Sequence, residues 1–275
     1  KIFHLITGSL YKFGAQWFQK MIEVQHLTKE FTLNRKQRKE SGNYHHRKVT
    51  AVNKVSFKCV PGRIFGLIGP NGAGKTTILR MIATMLRPTS GTIYVQNEDS
   101  AKHPEKIREN LGFLSNNTGL YDRLTAEEMI KYYSDLHGIS PPRYFKRSKE
   151  LYSLLDMHDF AHRRIANLSS GMKQKVSIAR TIIHDPSVVV FDEPTTGLDV
   201  LSSRAIVELI LGCREEGKTV IFSSHRMAEV ENLCDDIAIL HKGEIFFNDT
   251  FESFKEQMTS STLEEEFIRL TGGSA

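Results

Sequence analysis

The stretch Gly69-Pro70-Asn71-Gly72-Ala73-Gly74-Lys75-Thr76 decides how the rest of this 275-residue chain is read. It fits the pattern G-x-x-x-x-G-K-[ST], and its surroundings are those the pattern requires. Before it, Ile64-Phe65-Gly66-Leu67-Ile68 is almost continuously apolar, as in a strand buried on both faces of a sheet. After it, the segment KTTILRMIATML should form a helix that stops before Arg87-Pro88. Glycines let backbone N–H groups converge on phosphate oxygens, and the helix N-terminus adds a partial positive charge. Gly69, Asn71, Gly72, Ala73, Gly74 and Thr77 are therefore expected to line a phosphate cradle. Lys75 should reach the β- and γ-phosphates, and the Thr76 hydroxyl should ligate Mg²⁺.

A nucleotide cradle also needs a carboxylate for the metal and a group that activates water. The apolar run Val188-Val189-Val190-Phe191 leads directly into Asp192-Glu193. An acid at the end of a buried strand lies at the carboxyl edge of the sheet, where open α/β sheets bind ligands. Asp192 fits the metal-side carboxylate, and Glu193 fits the residue that polarises the attacking water.

Further from the loop, IEVQHLTKEF (22–31) and AVNKVSFKCV (51–60) alternate like strands. Strands are also expected at 187–191, 218–224 and 236–240, with a helix near 200–214 and another between the last two strands. The stretch 118–168 reads as mostly helical, with Thr125-Ala-Glu-Glu128 resembling a capping box. Strands alternating with helices imply an α/β fold whose mostly parallel sheet is covered on both faces.

Composition narrows the class further. The chain is 40% hydrophobic and 25% charged, which excludes wholesale disorder and fibrous repeats. No apolar stretch approaches the roughly 18–20 residues needed to cross a bilayer. The net charge of +5 is carried by two short segments. Residues 1–20 hold Lys1, Lys12 and Lys20 and no acid, and 34–48 hold six Lys/Arg and one Glu, so the remainder is mildly acidic. Residues 1–20 read as a leader upstream of a start at Met21; the alternative is an amphipathic helix through Ile2, Ile6, Leu10, Phe13 and Trp17. Cys59, Cys213 and Cys234 are too widely spaced for a metal site and read as reduced thiols.

Between the phosphate loop and Asp192 lies Leu168-Ser169-Ser170-Gly171-Met172. Here the chain resembles the ATP-binding subunits of ABC transporters, whose signature, usually LSGGQ, begins a helix in a helical subdomain. Leu168, Ser169 and Gly171 match; Ser170 and Met172 depart. The resemblance implies that Ser169 and Gly171 close on the γ-phosphate held by a second ABC ATPase subunit, in a head-to-tail dimer expected to be a homodimer. It also implies that Gly197-Leu198-Asp199 communicates across that dimer, that His225 contacts the γ-phosphate, and that Phe31 stacks on adenine. The family usually places Gln at the junction with the helical subdomain, touching Mg²⁺. Asn116 stands there in this chain, with the same amide on a shorter arm.

The match runs over 21–272 and implies an ABC ATPase fold. Its core would span about 21–115 and 176–250, with antiparallel strands near the N-terminus and a helical subdomain at about 116–175. The implied function is ATP binding and Mg-dependent hydrolysis that powers a separate membrane permease from its cytoplasmic face, with membrane contact through the permease and no nucleic acid expected. The phrases GLYDRLT, IANLSSGMKQK, DEPTTGLD and LEEEFIRLTGG look most like ABC-2-type exporters, including the sodium-efflux type. The alternative is an ABC-type ATPase not coupled to transport. Translation factors of that kind carry two such modules, and DNA-repair members a long heptad insertion; one phosphate loop and no heptads between 78 and 167 speak against both.

Overall fold

Apolar residues alternate through β1 (Ile22–Thr32) and β2 (Lys48–Cys59), burying Ile22, Val24 and Leu27 on one and Val55, Phe57 and Cys59 on the other. That period is expected of strands covered on one face. β3 (Ile64–Ile68) is buried at every position instead. The remaining elements are α1 (Lys75–Ile82), β4 (Ser90–Val95), β5 (Glu98–Asp99), α2 (Pro104–Asn110), β6 (Leu111–Ser115), α3 (Ala126–Leu136), α4 (Pro141–Leu154), α5 (Ser170–Ile182), β7 (Val188–Asp192), α6 (Val200–Glu215), β8 (Thr219–Ser224), α7 (Met227–Leu233), β9 (Asp236–His241), β10 (Glu244–Thr250), α8 (Phe251–Gln257) and α9 (Leu263–Thr271). The computed structural model describes residues 21–33, 47–115, 119–196 and 200–272. The expected leader at 1–20, most of the basic segment at 34–48, Asn116 and Gly197-Leu198-Asp199 lie outside the described residues.

The strands form two sheets. One is antiparallel with order β2-β1-β4-β5; the other has order β10-β9-β3-β8-β7-β6, parallel from β9 to β6 with β10 antiparallel at its edge. Successive side chains of β7 point to opposite faces. Val189 and Phe191 join Met129, Ile130 and Ile178 of the helical face. Val188 and Val190 join Ile78 and Ile82 of α1 and Ile22, Val24 and Leu27 of β1. The parallel sheet is thus covered on both sides, as its sequence pattern requires, and its carboxyl edge stays open to ligand.

Local signals hold with two differences of extent. Thr125 caps α3 as a capping box: the Glu128 amide donates to Thr125 Oγ1 at 3.1 Å, and the Thr125 amide donates to Glu128 Oε2 at 2.8 Å. The first difference is that α1 ends at Ile82, well short of Arg87. Thr84 adopts a left-handed backbone (φ 58°), and the amides of Met85 and Leu86 both donate to the Arg80 carbonyl, which terminates a helix whatever propensity follows. The second is that β2 begins at Lys48, before the apolar alternation starts. Strands β4, β5, β6 and β10 carry no clear signal in the sequence. β10 is an edge strand with no fully buried residue, so it has no alternation to find.

Leu263, Phe267 and Leu270 pack α9 against the apolar cluster of Phe251 and Phe254, and one carboxylate ties the helix to the segment before it. Glu266, 1% exposed, accepts from the amides of Thr259 and Ser260 at 3.2 and 3.1 Å and from Arg269 Nε at 3.1 Å. Arg269 first, and then these donors, hold its carboxyl down at about 2. An unfolded Glu titrates near 4.3, so the stabilisation is fully present above that pH and is lost as pH falls through about 2. Glu266→Gln should cost about 1–3 kcal/mol at neutral pH and flatten the acid limb of the unfolding curve, read by circular dichroism against pH.

Candidate functional site

Residues 69–74 form the turn between β3 and α1, and two of its glycines are there for steric reasons. Gly74 has φ 110°, and a Cβ on it would lie 2.5 Å from the Ala51 carbonyl oxygen. A Cβ on Gly69 would lie 2.3 Å from the Leu240 carbonyl oxygen. Any larger residue would push the loop off β2 or β9. The loop borders a recess of about 170 Å³ lined by Asn71, Gly72, Gly74, Lys75, Thr76, Thr77, Glu193 and Ala51. Ala73 is buried, and its amide donates to the Pro70 carbonyl at 3.2 Å. Lys75, 4% exposed, donates through Nζ to the carbonyls of Gly69 at 2.7 Å and Pro70 at 3.1 Å. Burial lowers its pKa, while Glu193, 3.5 Å away, opposes the shift.

The parallel sheet brings the acids of β7 to the same edge. Thr76 Oγ1 and Ser223 Oγ each donate to Asp192 Oδ1 at 2.9 Å, and the Glu193 amide donates to Ser223 Oγ at 3.0 Å. Glu193 sits in the left-handed region (φ 50°), which costs a non-glycine residue some strain. Its Oε1 lies 3.3 Å from His225 Nδ1, and Thr196 Oγ1 donates to its Oε2 at 3.3 Å. Phe31, at the end of β1, borders a separate cleft of about 270 Å³ with Arg80, Phe113 and Ser115; Thr77 lines both that cleft and the loop recess. Lys29 Nζ stands 5.2 Å from the Phe31 ring centroid.

Ser169 and Gly171 begin α5, where Ser169 Oγ accepts from the Met172 amide at 3.3 Å. Neither lines the loop recess. A hollow of about 640 Å³ between β1, β2 and β9–β10 contains none of the expected site residues. Sequence reasoning missed Ser223, which joins Asp192 to the Glu193 backbone, and Gln174, whose Nε2 donates to the Pro194 carbonyl at 3.2 Å. Ser223 had a findable signal, since it shares the end of the strand with His225. Gln174 had none, because its partner is a backbone oxygen 20 residues away.

Residues 52–196, which include the loop, Ser169 and Asp192-Glu193, match the family model for ABC transporter. The chain belongs to the ABC transporter ATP-binding family. It is 43% identical over 221 residues to the ABC transporter ATP-binding protein NatA of Bacillus subtilis, covering 80% of this chain and 90% of that protein. It is 36% identical over 198 residues to the linearmycin resistance ATP-binding protein LnrL of the same organism, covering 72% of this chain and 64% of that one. Among solved structures, the ATP-binding subunit of an ABC transporter superposes with a TM-score of 0.79 at 28% identity, covering 92% of this chain and 100% of that one. A dimeric cassette in a post-hydrolysis state, bound to ADP and Pi, superposes with a TM-score of 0.72 at 25% identity, covering 83% and 98%.

The cassette is therefore an Mg-ATP-hydrolysing ATPase, and the local chemistry fits that metal. The Thr76 hydroxyl and Asp192 carboxylate are hard oxygen donors 2.9 Å apart, with Asp192 6% exposed. No group of three His, Cys, Asp or Glu able to hold a metal ion occurs among the described residues. A site of two protein oxygens suits Mg²⁺, which keeps several waters and shares phosphate oxygens. When bound there, the ion would neutralise charge on the phosphates.

Proposed function

We propose that this cassette powers a separate membrane permease by closing around Mg-ATP as a head-to-tail dimer and reopening after hydrolysis, and that the cargo moves outward. The convergence of Lys75, Thr76, Asp192, Glu193 and His225 at the carboxyl edges of β3, β7 and β8 carries the reading. Lys75 and the loop amides, from Gly69 and Asn71 through Thr77, hold the phosphates. Thr76 and Asp192 hold Mg²⁺, with Asn116 as a further ligand. Glu193 takes the proton of the attacking water and His225 orients the γ-phosphate. Ser169 and Gly171 act on the nucleotide of the second copy, which agrees with their place at the start of α5 away from the recess, Ser169 exposed and Gly171 half-buried.

The helical subdomain is placed at about 116–175, with the core on either side. Among the described residues no helix is long and apolar enough to cross a membrane; in this reading a permease supplied as a separate protein holds the cassette on the cytoplasmic face. Export, with sodium as cargo, rests on the phrases shared with ABC-2-type exporters; a methionine import ATP-binding protein of Oceanobacillus iheyensis at 34% identity shows that family likeness alone does not set direction. The test is to identify the membrane protein that co-purifies and to measure ATP-driven ²²Na⁺ uptake into inside-out vesicles. Uptake that requires Glu193 is expected; ATP turnover without sodium movement would remove sodium as the cargo.

The Phe31 role has its own check. Base–aromatic stacking is worth about 1–3 kcal/mol per base by alanine substitution. Phe31→Ala should weaken ATP binding by roughly 5- to 150-fold and leave tripolyphosphate binding unchanged. An equal loss for both ligands, read by calorimetry, would return Phe31 to a packing role.

A further inference from the structure

We propose that Glu229 is a positioning residue for hydrolysis, clamping the segment that follows Glu193 to the segment that carries His225. Glu229 lies in α7 with its side chain 11% exposed. Thr195 Oγ1 and Arg226 Nη1 both donate to Oε1, the latter at 2.8 Å, and Ser224 Oγ donates to Oε2 at 2.7 Å. Ser224 Oγ in turn accepts from the Arg226 amide at 3.0 Å. Thr195 stands two positions after Glu193, and Ser224 and Arg226 flank His225. One carboxylate therefore links the two backbone segments whose side chains meet at 3.3 Å between Glu193 Oε1 and His225 Nδ1. The Ser224 carbonyl also accepts from the amide of Gly69, the first residue of the phosphate loop, at 3.4 Å.

A helix-capping role would use backbone amides of α7. These three donors are all side chains, and Thr195 comes from the turn that follows β7. Thr195 is 3% and Ser224 2% exposed, and both place their hydroxyl protons on the carboxylate. Glu229 acts by holding the backbones of the segments that carry Glu193 and His225. A displacement of about 1 Å at reacting groups can cost about 100-fold in rate, whereas phosphate binding by loop amides needs no such register.

The inference rests on the roles proposed above for Glu193 and His225. Thr195→Val removes the cross-link from one side with little change in size, and Glu229→Gln loses an acceptor from the other. Each should lower kcat by about 10- to 100-fold in the full chain, with ATP affinity within about twofold of wild type. Thr195→Ser, which restores the hydroxyl, should recover turnover, and the double variant should lose little more than either single one. Wild-type kcat in a folded Thr195→Val or Glu229→Gln protein overturns the proposal. So does a loss of ATP binding that matches the loss of kcat, or a Thr195→Ser protein as slow as Thr195→Val. Should either single variant fail to fold, the kcat and ATP affinity of the other decide on the same criteria. If Glu193→Gln itself hydrolyses at the wild-type rate, the underlying reading fails; if it is inactive while Thr195→Val and Glu229→Gln are normal, only the role of Glu229 fails.

Discussion

Glu193→Gln is expected to lower steady-state ATP turnover by about 10²- to 10⁴-fold, the usual contribution of a positioned general base. Gln keeps the size and most of the hydrogen bonds of Glu but cannot take a proton from water. The Ser223 bond to the residue 193 amide, at 3.0 Å, and the strained φ of 50° are backbone features and should survive the change. Nucleotide should still bind, because the proposed phosphate contacts belong to the loop and Lys75. The variant should therefore accumulate as an ATP-bound dimer, seen as an earlier peak by size-exclusion chromatography with Mg-ATP and absent with Mg-ADP. Full turnover in the variant would remove Glu193 from the chemical step.

Lys75→Ala is expected to have the other large effect, on binding. With phosphate bound as proposed, a lysine that is 4% exposed would be a desolvated charge partner, and truncating one member of such a pair typically costs about 2–5 kcal/mol. That corresponds to roughly a 30- to 5,000-fold loss of ATP affinity. Burial already lowers the Lys75 pKa against the pull of Glu193, so an incoming triphosphate supplies compensating charge to a group the fold has largely removed from water. Alanine is a strong helix former, so the first turn of α1 should persist and thermal unfolding without nucleotide should change little. Unchanged ATP affinity by calorimetry would overturn the phosphate-loop assignment.

Much of the site is legible because its residues are adjacent in the chain. Gly69 to Thr77 carry their own turn geometry, and Asp192-Glu193 follow a strand that declares itself through four consecutive apolar residues. Thr125 and Glu128 declare a helix start for the same local reason. The contacts that join these pieces are not legible. Ser223 serves Asp192 from another strand, Gln174 reaches Pro194 from α5, and Glu229 collects donors from two segments. Each is a polar residue whose type alone fits solvent as well as a partner. The end of α1 is hidden because helical periodicity continues through Met85 and Leu86, while the stop is made by backbone bonds to Arg80.

By itself, then, the sequence determined the ligand and the family. A glycine loop between a buried strand and a helix has few uses other than holding phosphate, and the signature and strand-end acids leave one family. The +5 charge dissolved into two short basic segments around a mildly acidic body, because a phosphate site of backbone amides and one buried lysine needs no basic surface. Tertiary structure decided which groups can act together. Only parallel pairing of β3 with β8, and β8 with β7, sets Lys75, Asp192, Glu193 and His225 along one edge. The physical reason is that catalytic distance depends on strand order and register. Those are fixed by packing side chains on both faces of the sheet, and no single segment of the chain contains that information.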